Sequence, residues 1–399
     1  MPPLATVHDR TSATNLSHLV NDRVRAGTSS VIRDLLRLVD RPGMLSMAGG
    51  LPAPELLPAE RIATAVADRL ATDGPRTLQY APTEGVPELR DLLAREHGSA
   101  PDHVLVTTGS QQALDLLSRA LLGPGDTVVV EAPGYLGALQ AFQMTGATLV
   151  AVPGDGDGLC TDLLEQRLLT GDLRPTLVYV VTNFQNPSGA TLSERRRHHL
   201  AALAEQYGFV IVEDDPYGEL RFRGTPLPRL ATLTGNAVTL GTASKILSPG
   251  LRVGWVVAPA WLVGPLVRLK QIADLHTSPL NQLVVADLLD DRPFLSAHLD
   301  ALRRTYEPRA DALVRAVRAI PGAPITITQP DGGMFAWARF DDGRPADEVL
   351  PRALDAGVAF VPGSAFHLDG TGRDTLRLCF STLSVEQLRS AIDRLTSVI

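Results

Sequence analysis

The chain has 399 residues, a net charge of −7, 44% hydrophobic and 20% charged residues, and two cysteines. Cys160 and Cys379, far apart and unaccompanied, exclude a disulfide scaffold and a cysteine-rich zinc site, and they fit a reducing cytosol. The mildly acidic balance excludes the basic footprint of a nucleic-acid or anionic-membrane binder, and no stretch approaches the ~20 apolar residues of a membrane span. At about 150 residues per domain, the length predicts two or three domains. The first residues lack the apolar core of a signal peptide, so a soluble cytoplasmic globular protein is expected. Of the 37 Lys and Arg residues, only Lys245 and Lys270 are lysine. An arginine-rich codon bias accounts for the ratio, and it makes the two exceptions the first positions to inspect.

Residues 1–27 are polar and weakly patterned and read as an N-terminal arm. From about residue 101, strand and helix signals alternate. VLVTT (104–108) is a β-branched run, and QQALDLLSRALL (111–122) places Ala113, Leu114, Leu117, Ala120 and Leu121 on one helical face. Gly123-Pro124-Gly125 stops it. TVVVEAP (127–133) and LVYVVT (177–182) are strands, the latter followed by a helix with Ser193 as N-cap and Gly208 past its end. FVIVED (209–214), AVTLGT (237–242) and VGWVVAP (253–259) complete the set. Apolar strands alternating with amphipathic helices predict an α/β fold with a mostly parallel sheet of the seven-stranded type, covered on both faces. In such sheets ligands bind beyond the carboxyl ends of the strands.

A helical pattern then runs from about 293 to 319, with Pro308 inside it as an expected kink. GMFAWARF (333–340), VAFVPGSAF (358–366) and TLRLCFS (375–381) are strands between helices at about 345–356 and 385–398. The last helix begins with Ser384 and Gln387 at capping-box spacing. The division expected is an arm (1–27), a large cofactor-binding domain (51–293) and a smaller α+β domain built from 28–50 and 294–399.

Four polar features fall at the predicted strand ends. Gly109-Ser110-Gln111 opens a helix, where free N–H groups and the helix dipole make a ready phosphate seat; alone, it reads more simply as a plain N-cap. Asn183-Phe184-Gln185-Asn186-Pro187-Ser188-Gly189 is rich in turn formers, and Asn186 offers an amide. Glu213-Asp214-Asp215-Pro216-Tyr217 sets three carboxylates in a row, a metal site or a solvated turn by themselves. An Asp at a buried strand end needs a cationic or N–H partner, a need that a protonated ring nitrogen meets. Gly241-Thr242-Ala243-Ser244-Lys245 carries one of the two lysines, with Arg252 beyond. Only a lysine amine loses its proton readily in a low-dielectric pocket and forms Schiff bases, so Lys245 is the candidate nucleophile. Lys270, in WLVGPLVRLKQIADL, reads as a solvated helix position.

Together these residues resemble the fold-type I enzymes dependent on pyridoxal 5′-phosphate (PLP), specifically the class I/II aminotransferases of the 2-aminoadipate/kynurenine/aromatic branch. The resemblance covers about residues 28–398. LSMAGGLPAPELLP, LQYAPTEGVPELRDLLA, VTTGSQQALDLLSRALLGPGD, NFQNPSG, EDDPYGEL, GTASKILSPGLRVGW, GGMFAW and LRLCFS match in order. Any one is weak; eight in sequence are specific. Departures are Ser188 for the commoner Thr, Ala243 for a larger residue, and Gly134 where Ser or Thr is usual.

The resemblance implies a set of roles. Lys245 holds PLP as a Schiff base and acts as acid and base. Asp214 pairs with the pyridine nitrogen, Tyr217 and Asn186 with the phenolic oxygen, and Tyr135 lies on the ring face. Ser110, Gln111, Thr242, Ser244 and Arg252 hold the phosphate, joined by Tyr80 from the neighbouring subunit of a homodimer with active sites at the subunit interface. Arg377 grips the substrate α-carboxylate beside the backbone of Gly50. An inward Arg in TLRLCF needs such an anion, and an outward Arg on an alternating strand is the lesser alternative for that stretch alone. Arg33, in SSVIRDLL, is a candidate for the substrate side chain or a solvated helix face.

The implied reaction moves an amino group from an α-amino acid to a 2-oxo acid, with 2-oxoglutarate as the expected acceptor. Another PLP reaction, such as oxidation, cyclisation or elimination on an amino acid, would use the same residues. Aminotransferase-like effector modules of transcription regulators carry an additional DNA-binding domain, for which the ~27 residues ahead of the match leave no room.

Overall fold

The computed structural model describes residues 16–26, 41–320, 322 and 325–399. A two-residue strand, β1 (Leu45–Ser46), comes first. The large sheet then takes β2 (Val104–Thr107), β3 (Thr127–Ala132), β4 (Thr148–Asp155), β5 (Gly158–Leu159), β6 (Leu177–Val181), β7 (Val210–Asp214), β8 (Ala237–Thr242) and β9 (Gly254–Val257). Their order in space is β2-β9-β8-β7-β6-β3-β4-β5. β4, β3, β6, β7 and β8 run parallel, while β9 lies antiparallel to both β8 and β2. The sheet is thus the predicted seven strands plus a two-residue edge, β5. β4 is not among the strands expected above. Pro153 interrupts its pattern, and it is tolerated because β4 lies next to the sheet edge.

Period-two alternation explains why the sheet is covered on both sides. Leu177, Tyr179 and Val181 of β6 enter one apolar cluster, and Val178 and Val180 enter the other. The first cluster is closed by the helix Ser110–Leu121 and by helices Pro279–Asp290 and Arg292–Arg318. The second is closed by Thr161–Leu169 and Glu194–Tyr207. Ser193 does occupy the N-cap of the latter, but its side chain makes no capping bond, and its buried Oγ has no hydrogen-bond partner. Gly208 ends that helix in the left-handed conformation, as expected.

The helix Arg292–Arg318 continues through Pro308 as a single element. Beyond it, β10 (Ile325–Ile327), β11 (Phe335–Phe340), β12 (Val358–Ala359), β13 (Val361–Pro362) and β14 (Thr375–Cys379) follow. Four of them form an antiparallel sheet in the order β10-β11-β14-β13. β12 instead pairs in parallel with β1, which ties the segment before residue 50 to this smaller sheet. The capping box at Ser384 and Gln387 is formed.

The reading of Lys270 as a solvated position is overturned. Its side chain is fully buried, in the helix Ala260–Asp274, and is paired with Asp274. Among the described residues, no helix is long and apolar enough to cross a membrane.

Candidate active site

The carboxyl ends of β6, β7 and β8 converge with the start of the helix Ser110–Leu121 and with β14 around one cavity of about 310 Å³. The sequence-predicted residues Gly50, Ser110, Gln111, Tyr135, Asn186, Asp214, Tyr217, Thr242, Ser244, Lys245, Arg252 and Arg377 all line it. Tyr80 does not; it is 77% exposed and meets His276 edge to face. Arg33 lies outside the described residues. A larger cavity, about 560 Å³, shares no lining residue with the first and lacks its convergence of cations around a reactive amine.

Strand alternation sorts the three carboxylates at the end of β7. Glu213 faces away from the cavity and accepts from Thr182, Leu230 and Thr239, with Arg197 at 3.8 Å. Asp214, one residue on, faces the cavity. Asp215 caps the following turn through the Gly218 N–H at 2.9 Å. They are neither a metal cluster nor a solvated turn, and no group of three or more potential ligands among the described residues could hold a metal ion.

Asp214 is the electrostatic centre. Its Oδ2 accepts from the Tyr179 hydroxyl at 2.7 Å, while its Oδ1 is buried with no hydrogen-bond partner. Burial pushes the carboxyl up to about 7; the Tyr179 bond opposes the rise and Asp215 adds to it. An uncompensated buried carboxylate oxygen is costly, so the geometry calls for a cationic N–H donor at Oδ1. Glu131, at the end of β3, is buried too, and burial pushes its carboxyl up to about 8 against the Val181 N–H bond. At neutral pH it is therefore mostly protonated and adds little negative charge beside Asp214.

Lys245 follows β8 and donates to the Gly50 carbonyl at 2.7 Å. Burial lowers its ammonium pKa to about 8; Cys379 resists, and Arg377 and Arg252 push the same way as burial. At pH 7 about a tenth of the amine is neutral, against roughly 0.03% for an ordinary lysine. That is a gain of about 300-fold in the nucleophilic form.

The phosphate seat is built from two chain segments. Gly109, at φ +79°, leads into the helix, and a Cβ there would meet the Arg252 guanidinium at 2.5 Å. The guanidinium could shift to make room, but φ +79° with ψ 163° is a backbone conformation that favours glycine. Arg252 also donates to the Thr108 carbonyl at 3.2 Å, and Thr242 Oγ1 bonds Ser244 Oγ at 3.0 Å. Free helix N–H groups, two hydroxyls and a guanidinium facing one space suit a phosphate dianion.

Arg377 supplies the second anion site. It is buried on β14, with Nη1 donating to Asn186 Oδ1 at 2.7 Å and Nη2 to the Ala48 carbonyl, while Nε has no partner. Its guanidinium carbon lies 4.4 Å from the Phe335 ring centroid and 5.1 Å from that of Phe366. Burial lowers its pKa, though a guanidinium stays charged. A planar cation lying against two rings with an unpartnered Nε–H matches a carboxylate. The sequence reading missed Tyr179, Phe335 and Phe366. Nothing in an all-apolar strand or a distant aromatic marks them, because their partners come from other parts of the chain.

Comparison with known proteins agrees with this geometry. The family model described as aminotransferase class I and II matches residues 48–395. A 2-aminoadipate transaminase from Thermus thermophilus is 44% identical over 373 residues, which span 92% of this chain and 93% of that protein. Aromatic-amino-acid aminotransferase 1 from Thermococcus litoralis is 40% identical over 93% of this chain and 91% of its own. The crystal structure of an alpha-aminoadipate aminotransferase from Thermus thermophilus, complexed with N-(5′-phosphopyridoxyl)-L-leucine, superposes with a TM-score of 0.90 at 41% identity, covering 96% of this chain and 97% of that one.

Proposed function

The chain belongs to the class I and II aminotransferases, and from that premise we propose how its own residues carry out amino transfer, and on which substrates. The enzyme transfers an amino group, and its cofactor is pyridoxal 5′-phosphate. When bound, PLP supplies the carbonyl that takes up the substrate amine and the ring that withdraws electrons from its Cα.

Lys245 is the covalent anchor and, once released, the base that moves a proton at Cα; its lowered pKa suits both tasks. Asp214, whose buried Oδ1 has no partner, would pair with the ring nitrogen, and a cation there would favour the ionised carboxyl. Tyr217 and Asn186 hold the phenolic oxygen, and Tyr135 covers the ring. Ser110, Gln111, Thr242, Ser244 and Arg252 hold the phosphate. Arg377 binds the substrate α-carboxylate next to Gly50, and its burial against Phe335 and Phe366 keeps water from competing. The observation that carries this reading is the pair of orphaned atoms, Asp214 Oδ1 and Arg377 Nε, on the two residues that face Lys245 across one cavity.

The acceptor is 2-oxoglutarate, and the donor is an α-amino acid. The relatives are named for 2-aminoadipate and for aromatic amino acids, so these two classes head the donor panel. The working unit is a cytoplasmic homodimer. An exposed Tyr80 that does not line its own chain's cavity supports a role at the partner's phosphate. Residues 51–293 form the cofactor-binding domain, with the strands around Arg377 in the smaller one. The test is acceptor dependence. New 2-oxo acid should appear in proportion to added 2-oxoglutarate; oxygen consumption or ammonia release without an acceptor would replace this reading with another PLP reaction.

A further inference from the structure

Lys270 lies outside the cavity, yet each proton of its ammonium has a partner. Nζ donates to Asp274 Oδ1 at 2.9 Å, to Gln112 Oε1 at 2.9 Å and to Thr277 Oγ1 at 3.1 Å. Three protons meet three residues, so the group is saturated. Burial lowers the Lys270 pKa and Asp274 opposes it. Asp274 is held below the usual carboxylate range; burial opposes that, and Lys270, Gln112 and Thr108 outweigh it. The pair stays ionised.

The cluster grips one residue in particular. Gln112 Oε1 also accepts the Thr108 backbone N–H at 2.8 Å, and Thr108 Oγ1 donates to Asp274 Oδ2 at 2.8 Å. Gln112 Nε2 closes the ring onto Asp274 Oδ2 at 2.7 Å. The remaining polar group of Thr108, its carbonyl, accepts from Arg252. Thr108 immediately precedes Gly109 and Ser110, so all three polar groups of the residue that leads into the phosphate turn are fixed, two of them by the Lys270 cluster.

We propose that Lys270 is a positioning residue for the cofactor phosphate: through Gln112, Asp274 and Thr108 it sets residues 108–110 and the guanidinium of Arg252. The inference rests on reading that turn as the phosphate seat. Lysine is needed because a compact ammonium converges on three oxygens from one point, whereas the planar arginine fork spreads its donors.

The test strips the full-length enzyme of cofactor and titrates it with PLP and with pyridoxal, which lacks the phosphate. In wild type the phosphate should tighten binding strongly. In Lys270→Met the PLP dissociation constant should rise tenfold or more, while pyridoxal binding changes less than twofold. Thr108→Val, which keeps its shape and loses the Asp274 bond, should show a smaller loss confined to PLP, and it carries the test alone if the methionine variant does not fold. Equal losses for both cofactors, or no loss for either, would overturn the proposal. A wild type that binds PLP no better than pyridoxal would instead remove the phosphate seat itself.

Discussion

The two lysines stand in opposite surroundings, and the contrast separates a reagent from a clamp. Lys245 has one hydrogen-bond partner, a neutral carbonyl, and an ammonium depressed to about 8. Lys270 has a carboxylate, an amide and a hydroxyl around it, and every proton is committed. Lys245 is half-buried on the cavity wall and Lys270 is fully buried, so burial alone does not explain why the first is the reactive one. The number and charge of the oxygens does. Few partners leave an amine free to lose its proton and react; a full set including an anion keeps it charged and still.

Removing the reagent is the largest expected effect. Lys245→Ala should lose transamination by roughly 10⁴-fold or more, as both anchor and base disappear. The visible absorbance of the lysine-linked cofactor should vanish with it. Ordinary turnover in that variant would end the distinction between the two lysines. The pH dependence sharpens the same point. Because the Lys245 amine must be neutral to attack, covalent capture of PLP by the stripped enzyme should quicken as pH rises through about 8, where an ordinary lysine would still be rising near 10.5.

Asp214→Asn comes next. It removes the anion that a ring N–H needs, at about 3–5 kcal/mol for a broken buried pair, or roughly 10³-fold in exchange of the substrate Cα proton. The cofactor-free protein should respond in the opposite direction. A carboxyl raised to about 7 in the folded state makes stability fall as pH climbs from its unfolded value near 4 to about 7. Asparagine has no such penalty, so the stripped variant should melt above stripped wild type at pH 8 and lose that advantage by pH 4. Proton exchange at the wild-type rate would rule out the ring contact.

These surroundings were unequally legible in the sequence. Lys245, Asp214, Asn186 and Ser110 stand where apolar strands end, and a parallel sheet collects ligands at those ends. The parallel strands and their helices were readable for the same reason, since each carries its own period. β4 was not, because Pro153 masks its pattern. Lys270 sits in an equally apolar helix, and it looked solvated because its ionic partner Asp274, four residues on, fits a surface helix pair equally well, while Gln112, which helps enclose it, is 158 positions away. Tyr179 alternates inside an unbroken apolar strand, where its hydroxyl gives no local signal. Periodicity reports which face a residue is on; the partner waiting there is a tertiary fact.

Arg377 stands between the extremes, a buried cation whose Nε has no partner and whose two Nη groups have one each. Arg377→Leu should raise KM for the amino acid and lower kcat/KM by about 10²-fold, consistent with about 2–5 kcal/mol for truncating a desolvated pair. PLP affinity should stay near wild type, because the phosphate seat is untouched. A steady-state comparison with a cofactor titration separates the two, and a fall in PLP affinity equal to the loss in kcat/KM would place Arg377 with the clamp.

Tyr179→Phe is the smallest change and the most discriminating. It deletes one hydroxyl and leaves the ring in the core, where it packs edge to face on Phe142. What disappears is the 2.7 Å bond that holds Asp214 in its ionised form. A hydrogen bond to a charged group is worth about 1.5–3 kcal/mol, so proton exchange should slow by about tenfold or somewhat more. The sign in pH follows from the same bond. Without it the Asp214 carboxyl rises further, less of it is ionised at a given pH, and the deficit should be greatest in acid and shrink as pH increases. PLP affinity should barely move, in contrast to Lys270→Met. A loss independent of pH would mean that Tyr179 only packs, and that Asp214 is set by burial alone.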